Sequence, residues 1–225
     1  MISAVPRGRN GYRHYEELHM DQVRLIRINL KCSYLGGKIL AAAYDILYLT
    51  AQKKLAQAHE KAVLMVRLIE RELNHAQQAF QYLENWVNGQ DEEDDSVKLS
   101  IRETARLLDV TIDMLYDWER NGLITIPRKS NGYRVYGSKE IKRLRVIRML
   151  RKARFSNMAI LRVMNYLDHG LREDLMSVID TSEPDDELSH CFTDNWLSAL
   201  NQSLSAAKQG LRHLEAMMEK YPQFL

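Results

Sequence analysis

Residues 127–136 read PRKSNGYRVY, and residues 6–15 read PRGRNGYRHY. In each stretch, proline and Asn-Gly are turn residues on either side of a short basic tip. Arg128 and Arg134, with the hydroxyls of Tyr133 and Tyr136, offer the charged and neutral donors that phosphate oxygens accept from. Arg7, Tyr12, Arg13 and Tyr15 repeat the same donors near the start of the chain. Tyr133, Val135 and Tyr136 suit a short β-ribbon, so a hairpin wing lying along a nucleic-acid backbone is expected. The chemistry is recognition of an anion, not catalysis. The sequence offers no nucleophile–base arrangement, Gly-rich phosphate loop or carboxylate pair. Glu70 and Glu72 belong to a helix face with Arg67 and Arg71, which is ordinary charge patterning.

A loop of this kind needs a helix beside it to read bases. Residues 99–124, LSIRETARLLDVTIDMLYDWERNGLI, supply one. Ser100 caps a short helix whose apolar positions Ile101, Ala105 and Leu108 share one face. Asp109-Val110 makes a tight turn that buries Val110. Thr111 caps a second helix with Ile112 and Leu115 inward, ending at a glycine C-cap in Asn121-Gly122. Helix, short turn, helix is a helix-turn-helix. After the hexapeptide a helix turns Ile141, Leu144, Ile147 and Leu150 inward, and a shorter helix follows at about 157–167. Residues 138–154 hold eight Lys and Arg against the single acid Glu140, a local field suited to an anionic partner.

The two hexapeptides belong to a longer internal repeat. With residue 6 laid on residue 127, Arg24 meets Arg145, Ile26 meets Ile147, Arg27 meets Arg148, Ile39 meets Ile160 and Tyr34 meets Phe155 without a gap. The segment MISAV then falls on GLITI (122–126), so Met1 sits where a first helix-turn-helix would just have ended, and a natural chain with an additional N-terminal helix-turn-helix is one expectation. Between the copies, residues 88–96 (NGQDEEDDS) form a turn and an acidic block without periodicity, a linker. Residues from about Leu40 to Trp86 read as one extended helix with a break near Leu49–Thr50. Its apolar positions Leu55, Ala58, Ala62, Met65 and Ile69 step by threes and fours, then resume at Leu73, Ala76, Phe80 and Leu83 after a stutter. Leu197, Leu200, Leu204, Ala207, Leu211, Leu214 and Met218 form a similar seam.

The run from Leu99 to about Leu167 resembles the winged helix-turn-helix DNA-binding domain of the MerR family of transcriptional regulators. IRETARLLDVTIDMLYDWERNGLI, PRKSNGYRVY and IKRLRVIRMLRKARFS carry the likeness in order, spacing and type. Residues 6–40 resemble the same family from the wing onward. The resemblance implies a mainly α fold: a winged helix-turn-helix of three to four helices plus a short β-hairpin wing, with long coiled-coil-type pairing helices. It also implies promoter binding with distortion of the DNA, and pairing as a homodimer or an intramolecular pseudo-dimer. RNA polymerase and a small-molecule effector are further partners it suggests. Carried onto this chain, Thr111, Tyr116 and Trp118 face the major groove and its flanking phosphates. Arg128, Tyr133, Arg134 and Tyr136 are wing contacts; Arg102, Lys142 and Arg145 are further DNA contacts. Arg7, Tyr12, Arg13 and Tyr15 are secondary ones. The sequence departs from the family at Tyr116-Asp117, where members commonly carry an arginine and an aromatic, and at Arg154, usually glycine.

Five segments are expected: an incomplete MerR-like unit over 1–49, a long pairing helix over 50–87, the linker 88–96, the reader over 97–170 and a C-terminal dimerisation or effector region over 171–225. The last is too short for a large ligand domain, so an effector pocket would draw on Tyr166, Phe192, Trp196 and the helix seams. An architectural, excisionase-like DNA binder and a protein-interaction module with one vestigial DNA-binding unit are the competing readings.

With 225 residues, 45% of them hydrophobic, and few Gly and Pro (10 and 4), the chain can build helical cores. A formal net charge of +2 conceals the local asymmetry. Cys32 and Cys191 are isolated, which argues against a disulfide framework or a metal cluster, His190-Cys191 having no further ligands nearby. No apolar run approaches a bilayer span and no signal peptide is evident, so a cytoplasmic protein without cofactor, metal or catalytic activity is expected.

Overall fold

The computed structural model describes residues 1–32, 35–88, 94, 96–169 and 192–224. Among these, eight α-helices account for the regular structure: α1 (Glu17–Leu30), α2 (Gly37–Ala51), α3 (Leu55–Val87), α4 (Ile101–Leu108), α5 (Ile112–Arg120), α6 (Ser138–Lys152), α7 (Asn157–Asp168) and α8 (Phe192–Lys220). A 3-10 turn covers Pro222–Phe224. No helix among the described residues is long and apolar enough to cross a membrane. The chain divides into two compact units, one of Met1–Leu73 with Ser198–Leu225 and one of Asn74–Leu197. Of the acidic stretch only Asn88, Asp94 and Ser96 are described; Asp94 turns the chain by accepting from the Ser96 amide at 2.9 Å.

In the first unit, α1, α2, the start of α3 and most of α8 share a core. The apolar seam of α3 is buried as its spacing predicts: Leu55, Ala58, Ala62, Met65 and Ile69 are all under a tenth exposed. Each of the larger side chains contributes roughly 1.5–3 kcal/mol on burial. The buried face of α8 is wider than the expected seam: Leu200, Ala207 and Leu214 are buried as its spacing predicts. Leu204, Leu211 and Met218 are only half-buried, while Ser203, Ala206, Gly210 and Met217 are buried. Small residues allow this. A Cβ added at Gly210 would lie 3.4 Å from Ile28 Cγ2, so α1 approaches α8 closely there. The contacts His59–Glu215 (3.4 Å) and Lys208–Glu70 (2.9 Å) run in opposite chain directions, so α3 and α8 pair antiparallel within one chain.

The expected break in the long helix lies a little later, at residues 52–54 between α2 and α3, where Lys53 takes φ 61°. Thr50 stays helical, donating its hydroxyl to Ile46 O at 2.7 Å. Its own carbonyl accepts from Gln22 Nε2 at 2.9 Å, and Gln22 Oε1 accepts from the Ser3 amide at 2.8 Å. Cys32 is fully buried, and burial pushes its thiol up to about 11, which leaves no reactive thiolate near neutral pH.

The last turn of α8 is tied to α1 by Asp21. This carboxylate is 4% exposed and accepts from Lys220 Nζ and Tyr221 OH, both at 2.9 Å. Burial alone would raise its pKa; the two hydrogen bonds and the Lys220 charge outweigh that and lower it below 3.8. A lowered carboxylate pKa adds stability that is complete above the unfolded value and is lost as pH falls through the folded one. Asp21→Asn should therefore cost about 1–3 kcal/mol at neutral pH, and much less well below pH 4. Urea unfolding at pH 7 and pH 3 would show the two stabilities converging at the lower pH; equal losses at both would contradict this.

The second unit holds the end of α3, then α4 to α7, then the start of α8. Ser100 and Glu103 form a capping box at the start of α4, with Glu103 Oε2 accepting from the Ser100 amide at 2.8 Å. Asp109 closes α4 in the left-handed region (φ 49°). Arg148 of α6, 2% exposed, donates from Nε to Leu108 O at 2.6 Å and so fixes the turn between α4 and α5. The core gathers Leu108, Leu115, Trp118, Tyr136, Leu144, Ile147 and Phe155.

Candidate nucleic-acid interface

The loop after α5 begins from its turn. Gly132, at φ 81°, lets its amide donate to Lys129 O at 2.8 Å, and Asn131 Oδ1 accepts from the Tyr133 amide at 3.2 Å. Lys129 N donates to Tyr133 O (2.8 Å) and Val135 N to Pro127 O (2.9 Å). One antiparallel bridge, Arg128 with Arg134, results. The expected β-hairpin wing is not seen: among the described residues no strand forms. The turn consumes Lys129–Gly132, Pro127 has no N–H to give, and the backbone of Tyr136 exchanges its hydrogen bonds with Leu99 instead, at 2.9 and 3.0 Å.

The N-terminal loop is closed by the same bonds. Gly11, at φ 79°, donates to Gly8 O, Gly8 N to Tyr12 O, His14 N to Pro6 O, and Asn10 Oδ1 accepts from Tyr12 N. Arg7 bridges Arg13 as Arg128 bridges Arg134. Arg7 Nη1 reaches Gly11 O at 2.8 Å, and Arg128 Nη1 reaches Gly132 O at 3.2 Å. The following helices are capped in register too: Glu16 N donates to His19 Nδ1, and Gly137 N to Glu140 Oε2. Arg7, Tyr12, Arg13 and Tyr15 are all exposed.

Around residues 127–136 the side chains converge on α5. Arg134 lies with its guanidinium carbon 4.7 Å from the centroid of the Tyr116 ring, a cation–π contact. Glu119, one turn on from Tyr116, accepts from Arg134 Nε at 2.6 Å and approaches Arg128 Nη2 at 3.6 Å. Its hydrogen bond raises the Arg134 pKa. One carboxylate thus orders both arginines and offsets one of their charges, while the Arg128 side chain stays half exposed. Glu119 was not among the expected residues; its spacing of three from Tyr116 is the signal that could have found it. Tyr116, Lys129, Tyr133 and Arg134 line a groove of about 510 Å³ that runs from Lys98 to the start of α4 at Ile101. Arg102 and Thr111 line a separate groove of about 490 Å³ with Arg106.

Four expected contacts are placed differently. Trp118 is 4% exposed and Tyr136 1%, both inside the core, so neither ring is available to a groove or a phosphate. Burial pushes the Tyr136 hydroxyl up to about 12. Arg145 turns to α3, where it bonds Gln78, and burial beside Arg148 lowers its pKa. Lys142 also faces α3, its Nζ 5.8 Å from the Tyr82 ring. Tyr166 and Trp196 pack half-buried against the core. The Phe192 side chain and His190-Cys191 lie outside the described residues. Among the described residues no group of three or more His, Cys, Asp or Glu could hold a metal ion.

Residues 99–167 match the model of the MerR HTH family regulatory protein, so the chain carries a MerR HTH domain there, and such a domain implies DNA binding. MerR HTH regulators are non-enzymatic. No curated protein and no solved structure matches the chain.

Proposed function

We propose that the protein is a transcriptional regulator that binds promoter DNA through residues 99–167 and acts by distorting the duplex. In this reading Tyr116 of α5 and its N-cap Thr111 enter the major groove. Arg128, Tyr133 and Arg134 lie along the flanking phosphates as a wing made of a bridged loop. The observation that carries it is the shared cluster of Tyr116, Glu119, Arg128 and Arg134, which fixes a basic loop beside an exposed face of the second helix. The bond-for-bond likeness of the loops at 6–15 and 127–136 supports Arg7, Tyr12, Arg13 and Tyr15 as a second contact to the backbone. The antiparallel pairing of α3 with α8 within one chain favours an intramolecular pseudo-dimer over pairing between chains. Each chain then supplies one complete reader.

Footprinting on duplex upstream of the protein's own gene, at several salt concentrations, tests this. A protected site is expected, with affinity falling by about 10³ or more between 50 and 200 mM salt if six or more phosphates are contacted. Absence of a protected site, or salt-independent binding, would refute it. A strict monomer by light scattering that protects two half-sites would overturn the assignment of one reader to each chain.

A further inference from the structure

In the unit formed by residues 1–73 and 198–225, the seam between α1 and α8 opens into a cleft of about 550 Å³. Arg24, Arg27, Ile28, Gln209, Arg212 and His213 line it. Three guanidiniums and an imidazole share one cavity with no carboxylate among the lining residues. The Asp21 carboxylate, one turn before Arg24, pairs with that arginine at 3.4 Å and is otherwise engaged by Lys220 and Tyr221, while its carbonyl meets His213. Among the described residues the side chains of Arg27 and Arg212 make no hydrogen bond or ion pair. The repeat makes this pointed. Arg24 and Arg27 stand where α6 has Arg145 and Arg148, and those two are committed inside their own unit, to Gln78 and to Leu108 O. The same positions on α1 are left open to solvent.

We propose that this cleft binds a phosphate group. Arg27 and Arg212 carry like charges with no counter-ion on either side chain, and an anion between them removes their repulsion. A carboxylate is planar and is satisfied by a single guanidinium fork, whereas a phosphate presents oxygens on several sides. Donors converging from two helices match the second geometry. Gln209 adds an amide donor, and His213 is held in place by its Nε2 contact to Asp21 O at 2.9 Å. The volume exceeds that of a single phosphate ion, so a diphosphate or a phosphate ester fits. The group could belong to a free phosphorylated compound or to a nucleic-acid backbone.

Calorimetric titration of the full chain with inorganic pyrophosphate, and separately with a short duplex, at constant ionic strength, distinguishes these sources. Arg27→Gln with Arg212→Gln should weaken pyrophosphate binding by about tenfold or more, while Arg128→Ala with Arg134→Ala leaves it unchanged. Both arginines are exposed, so a thermal melt should match the wild type; Arg212→Gln alone serves as a second variant. Weakened pyrophosphate binding with unchanged duplex binding assigns the cleft to a free phosphorylated compound. Weakened duplex binding with a smaller salt slope, with or without a pyrophosphate signal, assigns it to the backbone. If neither titration differs from wild type in these variants, the proposal is overturned, whatever becomes of the reader at 99–167.

Discussion

Replacing Arg128 and Arg134 together by alanine should weaken duplex binding about 100-fold at fixed salt. Each guanidinium makes charge-assisted contacts worth roughly 1.5 kcal/mol or more, and 2.8 kcal/mol corresponds to about two decades in Kd. The slope of log K against log salt should also become shallower by about 2, one unit per phosphate lost. Folding should survive, because the Arg128 and Arg134 side chains are 51% and 24% exposed and the loop is closed by backbone bonds. Arg134→Lys is informative beside the double variant. It keeps a charge but loses the fork that meets Glu119 and the flat face that lies on Tyr116, so an intermediate loss is expected. Binding that survives both substitutions would remove the loop from the interface.

Trp118→Ala should destabilise the second unit by about 3–5 kcal/mol, the cost of truncating a large buried aromatic. Against a total stability near the lower end of the usual range of about 5–15 kcal/mol, that is enough to leave much of this unit unfolded at 37 °C. Loss of DNA binding would then follow from loss of the fold. Tyr116→Ala makes the contrast: the residue is 38% exposed, so stability should fall by less than about 1 kcal/mol while duplex affinity drops. Chemical denaturation of the two variants separates the roles. A Trp118→Ala protein that unfolds like wild type yet fails to bind would show that the indole meets DNA after all.

The pair Tyr116 and Trp118 also marks how far the sequence can be read. Caps at Ser100 and Thr111 and the apolar spacing of α4 and α5 are local, and they locate both helices without any knowledge of their neighbours. Trp118 follows Leu115 by three residues, which sets it on the inner face; the family resemblance had drawn it outward instead. Periodicity was the better guide there. Tyr136 gave no such signal, since its burial depends on Leu99, distant in the chain, taking up its backbone. Arg145 shows the same limit: it lies on the flank of an amphipathic helix, and only the arrival of Gln78 decides which way it turns. The break before α3 carries no glycine or proline; Lys53 adopts the left-handed conformation itself, so the sequence could only suggest a bend nearby. What was legible was local. What was missed depends on partners brought from elsewhere.

The two bridged loops draw nearly every bond from within their own ten residues: a proline carbonyl, an Asn-Gly corner and an arginine returning to a glycine carbonyl. They do not need the same surroundings. Tyr136 is sealed in a core, whereas its counterpart Tyr15 is 53% exposed, and the loop geometry is unchanged. A shape that carries its own fasteners is portable. It can sit in a new neighbourhood without redesign of either, which frees the flanking residues of each loop to diverge toward a separate task.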